Sequence, residues 1–340
     1  MSSREKVLNL LDGRRDGEIL CFSGMGNVTT EGMKQTGVRF AEAHTDARKM
    51  ATLAATTHTL FGFDCAVVPF DVAIEAEALG CPINFYTHVN PEEILYPTVK
   101  EKVVASAADV RVPADLSSAG RVPVVIEAIR MLKEDIGERV AVGTYVMGPF
   151  TIAGQTMELN DLLKICLKSP ERVDEILRLY ADLVIEFSEI YFDAGADYIT
   201  IREMGACSDV LRPALFKKLV EPHLTRIFEN SHGRMVLHIC GKTNSIIESM
   251  NRCGANALSV DQKNELRETR AAIGPEPVLL GNFDPFHVLV KGTPADVERA
   301  VADCVAGGVD AVWPGCDIWP TASKENMETL VRSVKRMRRA

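Results

Sequence analysis

The run MVLHIC (235–240) places a histidine and a cysteine two residues apart at the end of an apolar stretch, just before Gly241. On a strand the two side chains share a face. A buried cysteine beside a hydrogen-bonded histidine gives the same pattern, so the pair alone carries little. A distant run, VDAVWPGC (309–316), ends on Cys316, also beside a glycine. His238, Cys240 and Cys316 together make a set of two thiolates and one imidazole, which favours zinc. Three protein ligands with a fourth position open is the pattern of a catalytic zinc site. No CxxC pair occurs, so such a site must be assembled by the fold.

Two carboxylates also close apolar runs: Glu203 ends DYITIRE (197–203) and Asp261 ends ALSVD (257–261). As catalytic groups, either could serve as general base, as an acceptor behind His238, or as a fourth ligand displaced by substrate. Helix capping by Asp261 and pairing of Glu203 with Arg202 are the competing structural readings. Asn282 and Asp284 in VLLGNFDP (278–285) could orient a bound cofactor or substrate, or could simply build a turn. Cys207, in GACSD, is a further substrate contact to test, while the other cysteines read as reduced core residues. His44, His58, His223, His232 and His287 lack a ligand pattern. Gly24-Met25-Gly26 lacks the third glycine of a dinucleotide fingerprint and any P-loop lysine, which argues against nucleotide binding.

These positions need elements to hold them. Eight apolar runs read as strands: 19–24, 65–70, 141–148, 197–203, 235–240, 257–261, 278–282 and 311–316. Helical patterns separate the later ones. One begins at Pro170, suited to a first helical turn, and ends near Gly195; another follows Ser323. Strands apolar on both faces and alternating with helices imply a parallel sheet covered by helices. The expected fold is α/β, a (β/α)8 TIM-type barrel with an N-terminal helical extension (1–17); a doubly wound open sheet is the alternative. Carboxyl ends of barrel strands are where chemistry sits, and the candidate residues fall there. The segment 71–139 is a long insertion between strands 2 and 3, with irregular structure or a hairpin followed by the helix pattern VPVVIEAIRMLKEDIG (122–137). With no internal repeat or composition break, residues 1–340 read as one domain. Gly143 and Gly148 permit close packing or leave room for a ligand.

The net charge of −9, without a basic stripe, argues against nucleic acid or an anionic membrane as partner. The charged amphipathic N-terminus carries no signal-peptide core, so the expected location is the cytoplasm.

The motifs resemble those of the zinc-dependent methylcobamide:coenzyme M methyltransferases, a branch of the uroporphyrinogen decarboxylase superfamily of (β/α)8 barrels. The resemblance runs through FAEAHTDARKMATLA (40–54), VPFDVAIEAEALGC (68–81), VMGPFTIA (146–153), FDAGADYI (192–199), VLHICG (236–241), LSVDQK (258–263), LLGNFDP (279–285) and VWPGC (312–316). It implies His238, Cys240 and Cys316 as zinc ligands. It also implies transfer of a methyl group from methylcob(III)amide, carried by a partner corrinoid protein, to a thiol such as coenzyme M. A metal-free decarboxylase of the superfamily and a non-catalytic corrinoid-protein-binding relative are the alternatives. The first strand reads FSGMGNVT (22–29), without the arginines that decarboxylases use to hold substrate carboxylates. Two rim segments, IREMGACSD (201–209) and PGCDIWP (314–320), depart from the methyltransferase pattern and bear on the identity of the acceptor thiol.

Overall fold

A computed structural model describes residues 1–90 and 93–338. Its main sheet holds eight parallel strands: β1 Leu20–Cys21, β2 Cys65–Val67, β3 Ala141–Met147, β4 Tyr198–Arg202, β5 Arg234–Ile239, β6 Ala257–Val260, β7 Val278–Phe283 and β8 Ala311–Pro314. Each from β2 to β8 pairs with its sequence neighbour, and β8 pairs with β1. The last gap closes where the Asp64 N–H donates to the Cys21 carbonyl at 2.9 Å. The eight expected strands therefore form a barrel, not an open sheet.

Both N-terminal strands are shorter than their apolar runs, for local reasons. The Ser23 N–H points at the Cys65 thiol, 3.2 Å away, instead of a carbonyl, so the ladder stops there. Just past β2, Pro69 has no N–H to offer.

The chain enters four strands through a recurring Gly-x-Asp/Asn step: Gly62-x-Asp64, Gly195-x-Asp197, Gly254-x-Asn256 and Gly308-x-Asp310. Each glycine has positive φ, between 80° and 109°, a region that side chains resist. Each following oxygen then accepts the leading N–H of an adjacent strand: Cys21, Val142, Met235 and Leu279, at 2.8–2.9 Å. The sequence reading saw no internal repeat; this one is three residues long and has meaning only once neighbouring strands are known. Asp310 also pairs with Arg15 and Arg270 at 3.0 and 2.9 Å. Asp310→Ala takes the carboxylate from these cations, which keep backbone carbonyl partners, and the acceptor from the Leu279 N–H; it is expected to lower unfolding free energy by about 3 kcal/mol in a urea titration. A loss within error would show that water replaces the carboxylate.

The helix Ser3–Leu11, capped by Ser2, lies across the amino end of the barrel, where Ser3 bonds Asp64 and Arg4 bonds Asp197. Residues 71–139 contain a short antiparallel pair, Ile83–Asn84 with Thr98–Val99, and then the helix Val122–Asp135. The helix Pro170–Asp193 and the final helix Lys324–Arg336 match their sequence patterns, the latter capped by Ser323. Trp313, Tyr198 and Phe22 meet edge to face inside the barrel, Phe22 lying 5.0 Å from Trp313 and 5.8 Å from Tyr198. The barrel is thus a packed core with its working surface at the carboxyl rim. Among the described residues no helix is long and apolar enough to cross a membrane.

Candidate active site at the carboxyl rim

β5 carries its histidine on the inward face. His238 is in register with Arg202 of β4 and Ser259 of β6, so the three side chains point the same way. His238 is fully buried. Its Nδ1 lies 2.8 Å from the Ser259 hydroxyl, and its Nε2 lies 3.2 Å from Cys240 Sγ. A proton on Nδ1, donated to Ser259, leaves the Nε2 lone pair facing the thiol. Burial, reinforced by the Arg202 charge, pushes the imidazole down to about 3, so the ring is neutral at physiological pH.

After Cys240 the chain turns at Gly241, whose φ is +82°. A side chain there would collide with Cys207, whose sulfur packs under the turn. Cys316, just past β8, stands beside Cys240, near enough for the two thiols to perturb each other. The neighbouring thiol holds Cys316 below the usual cysteine range and, with burial, raises Cys240. Both are half-buried, whereas the other seven cysteines are buried. Of the three donors, His238 touches Cys240, and Cys316 stands beside Cys240 at the rim. Among the described residues, no group of three histidine, cysteine or acidic side chains stands arranged to hold a metal ion.

Cys316 borders a cavity of about 350 Å³. Phe70, Tyr96, Met204, Ile318 and Trp319 form its apolar wall. Arg202 and Asp317 supply charge, joined by bonds of 2.6 and 3.2 Å, with the guanidinium 4.9 Å over the Tyr145 ring.

The other sequence candidates take different positions. Glu203 follows Arg202, so strand alternation sends it outward, away from the cavity. Its carboxylate is fully buried and accepts the Phe150 N–H, the Thr151 N–H and the Thr151 hydroxyl at 2.9, 2.7 and 2.6 Å. It thereby anchors the start of the helix Pro149–Thr156. Gly148 packs on this carboxylate and Gly143 on the Tyr198 ring, so both glycines serve packing. Asp261 neither caps the next helix nor reaches His238, whose partner is Ser259. Its oxygens accept the Gly241 N–H at 2.9 Å and the Lys263 N–H at 2.8 Å. The Asn282 amide ties the Asp261 and Asn264 carbonyls at 3.0 and 2.8 Å, and the Asn264 amide bonds the Gly241 carbonyl. Asp261 and Asn282 thus brace the Cys240–Gly241 turn from behind. Asp284 accepts the Phe286 and His287 N–H groups, a turn role. Asn282 and Asp284 border a separate depression of about 680 Å³ that excludes Cys316.

Sequence reasoning missed Arg202 and Ser259, because their alignment with His238 depends on register between strands, which alternation within one strand does not supply. It also set aside His44. That histidine lies 3.0 Å from Asp71, whose oxygens also bind Arg121 at 2.7 and 3.0 Å. Burial works to raise the Asp71 carboxyl, but the His44 and Arg121 bonds outweigh it and hold it well below the usual range.

A parallel barrel with two thiols and an imidazole at its carboxyl mouth defines a class of rim-site (β/α)8 enzyme scaffolds. Residues 2–337 match the uroporphyrinogen decarboxylase (URO-D) family model, and the chain belongs to that family. It is 30% identical to methylcobamide:CoM methyltransferase MtaA of Methanosarcina barkeri, across 96% of each chain. It is 31% identical to methylcobamide:CoM methyltransferase MtbA of Methanosarcina acetivorans, across 93% of this chain and 92% of that one. A solved methyltransferase from Methanosarcina mazei superimposes with a TM-score of 0.92, at 29% identity and 98% coverage of both chains.

Proposed function

We propose that this chain moves a methyl group from a methylated corrinoid, delivered by a separate corrinoid protein, to a small thiol, with coenzyme M as acceptor and zinc held by His238, Cys240 and Cys316. The observation that carries this reading is the gathering of the three donors at the barrel mouth, with His238 Nε2 3.2 Å from Cys240 Sγ and Cys316 bordering the cavity. The names of the relatives supply the reaction class.

The donor types are those of a zinc site: two sulfurs and an imidazole kept neutral with its Nε2 facing Cys240. Zinc bound there supplies the positive charge that keeps an acceptor sulfur deprotonated near neutral pH. The reaction balances as a displacement. The acceptor sulfur forms the new S–C bond, cobalt keeps the electron pair of the broken Co–C bond, and the thiol proton leaves to solvent. The chain's own residues position and shield. Ser259 fixes the His238 ring, Asp261 and Asn282 hold the Cys240 turn, and the apolar wall limits water. The cavity suits a thiol of a few heavy atoms and is too small for a corrin ring, so the donor must dock over the mouth.

The purified full-length protein is expected to contain about one zinc per chain and to methylate coenzyme M from methylcobalamin. Absence of both zinc and turnover with any thiol would sink the reading. Ser259→Ala removes the hydrogen bond that orients His238. It is expected to weaken zinc binding by about 10- to 100-fold in a chelator competition. Unchanged affinity would show that packing alone holds the ring.

A further inference from the structure

The barrel mouth contains a buried cation whose pairing is lopsided. Arg202 is 1% exposed, while the side chain of its partner Asp317 is 40% exposed. The Arg202 Nε–H is buried and has no hydrogen-bond partner. The other acid at this cavity, Asp71, is differently placed: it is fixed by Arg121 and His44, both buried. Asp317 can therefore return to water at little cost, whereas Arg202 cannot leave the interior without an anion at its side.

We propose, building on the methyl-transfer reading, that Arg202 anchors the anionic end of the thiol acceptor and that Asp317 is a resident carboxylate which this end displaces. Arg202 and His238 are in register on neighbouring strands, about 4.8 Å apart, with both side chains on the inward face. An anion held by Arg202 thus lies within a short tether of the Cys240–Cys316 pair. Arg202 and Cys316 line the same cavity, so a short molecule with a thiol at one end and an oxyanion at the other meets both. The guanidinium offers its vacant Nε–H as well as the two nitrogens now bound to Asp317. A sulfonate has three oxygens with which to meet these donors, and a carboxylate has two, so sulfonate is the better match. The exchange replaces one anion by another, so it leaves no additional charge buried.

The test compares three thiols with methylcobalamin as donor: 2-mercaptoethanesulfonate, 3-mercaptopropionate and neutral 2-mercaptoethanol. Arg202→Met is expected to raise the KM for the sulfonate roughly 30-fold and that for the alcohol less than about threefold. Asp317→Asn, a change on the exposed partner that spares the core if Arg202→Met fails to fold, is expected to lower the sulfonate KM roughly fivefold. It should leave the alcohol unchanged. Equal losses for charged and neutral thiols in Arg202→Met, or a higher sulfonate KM in Asp317→Asn, would overturn the proposal. A stronger preference for the propionate would reassign the anchor to carboxylates and overturn the sulfonate assignment. Calorimetric binding of ethanesulfonate to the zinc-loaded wild type and the two variants reads the anchor without turnover. It separates failure of this site from failure of the methyl-transfer reading. Sulfonate binding unaffected by either substitution counts against the site even if methyl transfer is observed.

Discussion

Cys316→Ala is expected to abolish bound zinc and to reduce methyl transfer from methylcobalamin to coenzyme M by about three decades. The size follows from the several kcal/mol that a metal contributes in stabilising charge, at about 1.4 kcal/mol per decade. Cys316 is the cysteine that borders the cavity, and every other described cysteine except Cys240 is buried, so none is placed to replace it. Zinc content by mass spectrometry of the native protein and single-turnover rates measure the two effects separately. If zinc stays stoichiometric while the rate falls, Cys316 acts on substrate and the ligand assignment is wrong. If both persist, the proposed centre lies elsewhere.

Glu203→Ala is expected to lower unfolding free energy by about 3 kcal/mol, because three donors at the head of the helix Pro149–Thr156 lose their acceptor. Glu203→Gln keeps the shape and one acceptor oxygen, and should retain methyl transfer. The pair of variants also has a pH signature. Burial pushes the Glu203 carboxyl up to about 7, against the opposing bonds from Thr151 and the helix N–H groups. Its folded value thus lies above the unfolded carboxyl near 4.5, so folding takes up a proton between the two. Its contribution is most favourable below pH 4.5 and is lost as pH rises through about 7. The Gln variant should therefore lose part of the wild-type decline in stability between pH 5 and 8. Part remains, because Glu75 is also buried and raised to about 7. Denaturant titrations at the two pH values make the measurement. A Gln variant that is fully stable but inactive would restore Glu203 to the catalytic group.

The candidate ligands were legible because they sit where local patterns end. Apolar runs with glycine beside them mark strand termini, and His238, Cys240 and Cys316 occupy three such positions. The barrel was legible for the same reason, since strands apolar on both faces have few ways to be covered. Misreadings arose where a residue's type was used without its parity. Glu203 looked like the rim group and Arg202 only a charge to pair with it; alternation along β4 puts Arg202 at the cavity instead. Asp261 has the right chemistry to back a histidine, yet Ser259 is the residue in register with His238, and Asp261 is spent on the turn.

Periodicity and composition, both properties of neighbouring residues, thus determined the eight strands, the covering helices and the three residues proposed as ligands. Tertiary structure alone decided which side chains meet. The Arg202–Asp317 pair spans 115 residues, and the His44–Asp71–Arg121 cluster joins the segment before β2 to the insertion after it. Such contacts depend on barrel closure and strand register, which no local pattern in the chain encodes.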